Sequence, residues 1–214
     1  AAAGGAGELE FITVGDAGNA PYFDGADYFQ QRPVGSVGYV YRLGKFEITQ
    51  AQYLEFINAV DPLGSNTLGL FHASTPPLYG DMSFDGCDFI LDLSRPEGQK
   101  YSLRDPNGAM IPVWGSTWYG AARFCNWLHN GKGGPGSTEG TATNGAYDTR
   151  NFDDGTATND PPTHNPGAKF WLPTFDEWFK AAYYKGGGTN SGYWTGPFCA
   201  DGEPKGGYPD EDPV

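Results

Sequence analysis

The chain is poor in positive charge, cysteine and histidine, and it lacks long apolar runs. Lysine and arginine number 13 against 26 aspartates and glutamates, a formal net charge of −13 over 214 residues. A surface of that sign repels a phosphate backbone or an anionic membrane face, and no basic stripe offsets it. Nucleic acid is therefore not an expected partner. No apolar stretch approaches the roughly 20 residues that a membrane-spanning helix needs. The dispersed acids read first as a solubilising surface, with divalent-cation binding as the sharper alternative.

Cys87, Cys125 and Cys199 make an odd count, which leaves at least one thiol unpaired within a monomer. No CxxC metal or redox motif occurs. Cys125 falls among apolar residues on a helical face and reads as a small buried hydrophobe. Cys87 and Cys199 lie in Gly/Asp-rich loops and can pair in an oxidising compartment, although spacing alone leaves both states open. His72, His129 and His164 are scattered and read as surface residues rather than ligands.

What is abundant is glycine (33), proline (17) and aromatic side chains (15%). That mixture argues against disorder and for a loop-rich globular domain with short elements pinned by rings. The small-residue start Ala1-Ala2-Ala3-Gly4-Gly5 reads as a mature end left by signal-peptide removal, so a secreted protein is expected. An arbitrary boundary would look the same.

One local pattern occurs three times: an apolar run, a hydroxyl that can cap a helix, then helical periodicity. In the first, Val40 and Tyr41 favour a strand, Thr49 and Gln52 have capping-box spacing, and Tyr53, Phe56, Ile57 and Val60 share one helical face. Asp61-Pro62-Leu63-Gly64 ends it. In the second, Met110–Trp114 leads to a cap at Ser116 or Thr117. The stripe Trp118, Ala121, Ala122, Cys125 and Leu128 follows, and Asn130-Gly131 stops it. In the third, Phe170-Trp171-Leu172 leads to the Thr174/Glu177 capping box. Trp178, Ala181 and Ala182 form the expected inner face. Residues 131–167 form a long polar loop, and 62–109 an insertion with aromatic content.

These units carry a family resemblance. Phe46-Glu47-Ile48-Thr49-Gln50-Ala51-Gln52-Tyr53-Leu54-Glu55-Phe56 resembles the opening motif of formylglycine-generating-enzyme (sulfatase-modifying) domains. Pro112 to Leu128 is similar to that family's "P-V-x-x-V-S-W" segment. Phe170 to Ala182 is similar to its "R-L-P-T-E-A-E-W" segment. The three occur in the family's order. The resemblance implies an α+β chain with about three helices and a variant of the C-type-lectin-like fold, with 1–214 as a single such domain. Relatives comprise sulfatase-activating oxidases, iron-dependent sulfoxide synthases and non-catalytic binding proteins.

Departures from the pattern shape the functional expectation. The family's "G-N-x-W-E-W" calcium segment, its "R-G-G-S-W" strand and the oxidases' copper-binding cysteine pair do not occur here, so copper is not expected in this chain. The main expectation is a secreted, non-catalytic domain that binds or self-assembles into an oligomer or filament, with a second copy, another protein chain or a glycan as partner. The alternatives are the front portion of a formylglycine-generating oxidase and a calcium-dependent carbohydrate-binding module. In the loop Asn144–Gly155, Asp148, Asn151, Asp153 and Asp154 are candidate calcium ligands, because calcium takes six to eight oxygens of this kind; Asx turns would use the same residues. Tyr193 and Trp194, in a Gly-rich loop, are candidate ligand-stacking residues, whereas Trp118 and Trp178 are expected in the core. Glu177 could act as a general acid, but its capping position explains it without chemistry.

Overall fold

The computed structural model describes residues 8–23, 32–71, 89–152, 163–197 and 199–201. Among them the order is β1 (Phe11–Val14), β2 (Tyr41–Gly44), α1 (Gln50–Val60), β3 (Phe89–Leu91), β4 (Tyr101–Leu103), a 3-10 turn at Gly108–Met110, α2 (Trp118–His129) and α3 (Phe175–Tyr183). The architecture is thus α+β, with three helices and two antiparallel two-stranded ribbons. β1 pairs with β2 in the register Ile12↔Leu43, and β3 with β4 in the register Ile90↔Ser102. Two compact units emerge: 1–9 with 46–172, and 10–45 with 173–214. None of the described helices is long and apolar enough to cross a membrane.

In the first unit α1 begins where the sequence says. The Thr49 hydroxyl accepts the Gln52 amide and the Gln52 side chain accepts the Thr49 amide, so two orphan donors are satisfied reciprocally. Tyr53, Phe56, Ile57 and Val60 are all buried, and they pack with Leu70, Phe89, Tyr101, Phe124 and Trp127. Phe56 meets Phe124 and Trp127 at centroid distances of 5.2 and 5.3 Å. Full burial of each such side chain contributes about 1.5–3 kcal/mol. Residues 62–109 supply Leu70, Phe89 and Tyr101 to this core. Ile111 and Val113 bond to Gln50 and Ile48 and steer the chain towards α2.

The α1 terminus is a buried carboxylate knot. Asp61 accepts the Tyr101 hydroxyl (2.6 Å), the Ser65 amide and hydroxyl (3.0 and 2.9 Å) and the Asn66 amide (2.7 Å). Burial pushes its carboxyl up, but these hydrogen bonds prevail and hold it below the usual range.

The second unit contains the β1–β2 ribbon and α3. The Thr174/Glu177 capping box forms as expected. The inner face of α3 does not. Glu177 and Lys180 are each 1% exposed, while Trp178 is 45% exposed. The reason is polar anchoring. The Glu177 carboxylate accepts the Tyr39 hydroxyl and the Thr174 amide, the Tyr41 hydroxyl donates to the Glu177 carbonyl, and Lys180 Nζ donates to the Asp16 carbonyl. These contacts turn the charged residues inward and leave the tryptophan outside. Trp118 of α2, also expected in the core, is 37% exposed.

Candidate functional site

The polar loop after α2 is organised by one side chain. Asn126 is fully buried. Its Nδ2 donates to the Thr138 and Tyr147 carbonyls, both at 3.0 Å. Its Oδ1 accepts the Ala146 and Tyr147 amides at 2.7 and 2.8 Å. The full donor and acceptor capacity of a carboxamide is therefore spent on loop backbone. Gly140 sits against this group: a Cβ there would come within 2.1 Å of the Tyr147 carbonyl oxygen. Beside it, Arg123 of α2 pairs with Glu139 at 2.9 Å, and the Thr149 hydroxyl donates to the other Glu139 oxygen at 2.8 Å.

This scaffold presents Asp148 and Asn151, two of the four candidate calcium ligands. Asp153 and Asp154 lie outside the described residues. Asp148 is engaged by Arg150, whose Nε and Nη2 donate to its two oxygens at 2.9 and 2.6 Å. The Arg150 guanidinium holds the Asp148 carboxyl down to about 2. The carboxylate is thus ionised at any physiological pH, and a cation would compete with Arg150 for it. Asn151 is exposed in the same turn. Among the described residues no group of three or more His, Cys, Asp or Glu side chains is placed to hold a metal ion.

The second unit holds Tyr193 and Trp194. Tyr193 is tied into the fold: Asn19 donates to its hydroxyl at 2.7 Å, and that hydroxyl lies 2.9 Å from the Gly35 carbonyl oxygen. Burial pushes the Tyr193 phenol up to about 12. Its ring packs on Phe179, Tyr22 and Tyr184. Gly35 approaches so closely that a Cβ would meet Phe179 at 2.8 Å and Tyr193 at 2.9 Å. Trp194 is half-buried, with the Lys185 ammonium 4.5 Å from its ring centroid and that ammonium paired to Asp201 at 2.8 Å. The buried pair Glu177 and Lys180 was not singled out as a buried polar site by the sequence, because a charged residue on an amphipathic helix reads as solvent-facing.

The Cys125 thiol is poorly placed to bind a soft metal. Cys125 is buried among Ala122, Ala146 and Tyr147, and burial pushes its thiol up to about 12. A soft metal needs a thiolate, which this environment opposes. Cys199 is exposed, and its sequence-expected partner Cys87 lies outside the described residues.

Among the described residues, two ribbons, three capped helices and a loop held by a buried asparagine give an α+β chain rich in irregular backbone. The chain belongs to the FGE-sulfatase family: the model of the sulfatase-modifying factor enzyme 1-like domain matches residues 14–207. No curated protein and no solved structure matches it. The family match corrects the main functional expectation. A non-catalytic, self-assembling role rested on family motifs that do not occur in the sequence. The match instead runs through almost the whole chain, in a family known for oxidase activity, and it favours the oxidase alternative.

Proposed function

We propose that this chain belongs to a formylglycine-generating, sulfatase-activating oxidase with the C-type-lectin-like fold, acting in a secretory or extracellular setting. The observation that carries this reading is the family match over residues 14–207. The capped helices and the buried Asn126 scaffold support it by supplying rigid elements on which a polypeptide substrate can be positioned. The partner on this reading is another protein chain, the sulfatase to be modified. The redox metal and its cysteine ligands are not assigned to residues of this chain; burial of Cys125 disfavours the thiolate that a soft metal needs. The test is to express the complete natural reading frame, load it with copper, and incubate it with an unmodified sulfatase in air. Mass spectrometry should detect conversion to formylglycine. A folded, copper-loaded product that leaves the sulfatase unchanged would refute the reading.

Calcium at Asp148, Asn151, Asp153 and Asp154 is part of the same proposal. It is supported by an ionised Asp148 carboxylate on an ordered scaffold. A melting temperature that calcium raises and EDTA lowers is the expected result, and an unchanged one removes calcium from the proposal. A Cys87–Cys199 bridge also belongs to the secretory reading, and thiol titration of the denatured chain reads it directly.

A further inference from the structure

His129 is the last residue of α2, and its imidazole makes a contact that only the neutral ring can make. The Lys169 backbone amide donates to His129 Nδ1 at 3.1 Å. A backbone N–H is always a donor, so Nδ1 must present a lone pair. An imidazolium carries hydrogen on both ring nitrogens and cannot accept this bond. Lys169 also folds its ammonium back to the His129 carbonyl at 3.4 Å, which places a positive charge beside the ring.

Residues 163–172, which this contact holds, form an ordered segment. The Asn165 side chain donates to the Thr141 carbonyl at 2.7 Å, and its amide to the Ala146 carbonyl at 2.8 Å. His164 stacks on Trp171 with centroids 4.7 Å apart, and the Leu172 amide donates to the Tyr147 hydroxyl at 2.9 Å. Between the Asn165 anchor and the Leu172 anchor, Lys169 makes the polar contact to the end of α2, flanked by Ala168 and Phe170, which pack against the cluster of Ala122, Cys125, Ala146 and Tyr147.

We propose that the His129–Lys169 contact is an acid-sensitive latch, which opens locally at the Lys169 backbone when His129 takes up a proton, while Ala168 and Phe170 keep their apolar packing. Protonation converts the acceptor into a donor facing another donor, and it sets imidazolium against ammonium. Burial and then the Lys169 charge both hold His129 below the usual imidazole value. Among the described residues no carboxylate is a cause of that shift. The helix C-terminus does favour a cation there, but α2 can receive that cation from the Lys169 ammonium, which already caps the His129 carbonyl.

The sign follows from linkage. A base whose folded value is lowered binds protons more weakly in the latched state than in the released one. The latch is therefore closed above the usual imidazole range and opens as pH falls through it. The measurement is amide exchange at Lys169 by NMR, corrected for intrinsic exchange rates, at pH 7.5 and pH 5. Protection should fall about tenfold at the lower pH, as expected for loss of one hydrogen bond. The His129 ring resonance should titrate below its usual value. His129→Asn keeps an acceptor at the position of Nδ1 and cannot take up a proton, so its Lys169 amide should keep the same protection at both values. Equal protection in the wild type at both pH values, a His129 midpoint above the usual one, or an unchanged pH response in H129N would each overturn the proposal.

Discussion

Asn126→Ala should be among the most damaging single substitutions in this chain. It removes the partners of two backbone carbonyls, Thr138 and Tyr147, and two backbone amides, Ala146 and Tyr147. A buried polar group left unpaired costs about 1–3 kcal/mol, so four such groups set a bound of about 4–12 kcal/mol. The loop can lower that cost by opening to water, but it then gives up the packing of Ala146 and Tyr147 against Ala122 and Cys125. A loss of about 3–5 kcal/mol is expected, a large fraction of the 5–15 kcal/mol that a domain typically has. Urea unfolding followed by tryptophan fluorescence measures it through the midpoint. Asn126→Asp separates the contributions. It still accepts both amides but faces two carbonyls without a donor, and burial raises its carboxyl above the usual range. Its deficit should therefore grow as pH rises from about 4 to 8, because the folded state holds the proton more tightly than the unfolded one. A loss below about 1 kcal/mol in Asn126→Ala would refute the claim that this carboxamide holds the loop.

Three further outcomes are expected. Lys180→Met should be neutral or stabilising by about 1 kcal/mol in urea, because it removes a buried ammonium while the Asp16 carbonyl keeps the Asn19 amide. Burial holds the Lys180 ammonium below its usual value, so wild-type stability should also rise from neutral pH towards the lysine range, a slope K180M should lack. Thr174→Ala should cost about 1 kcal/mol by thermal unfolding, through loss of the acceptor for the Glu177 amide. Asp61→Asn should flatten the acid limb of the stability curve: the wild-type carboxyl is held below its usual value, so its contribution is present at neutral pH and lost as pH falls through the folded value.

The sequence by itself determined the helices and much of the core. Capping boxes and 3.6-residue periodicity are local, so Thr49, Thr117 and Thr174 mark their helices without knowledge of what packs on them. The motif order also carried the family, because three short segments in sequence are specific even where the fold between them is not. The function expected from missing motifs did not survive, since a family match over most of the chain outweighs segments judged by absence. Which face of α3 turns inward could be decided only by the tertiary structure. Apolar periodicity favoured Trp178, but Tyr39, Tyr41 and Asp16 arrive from more than a hundred residues earlier and bind Glu177 and Lys180. The same holds for Asn126, which reads as one polar residue on a helix until the loop closes on it. Long-range hydrogen bonds have no period in the sequence, so the polar interior of this protein exists only once the chain has folded.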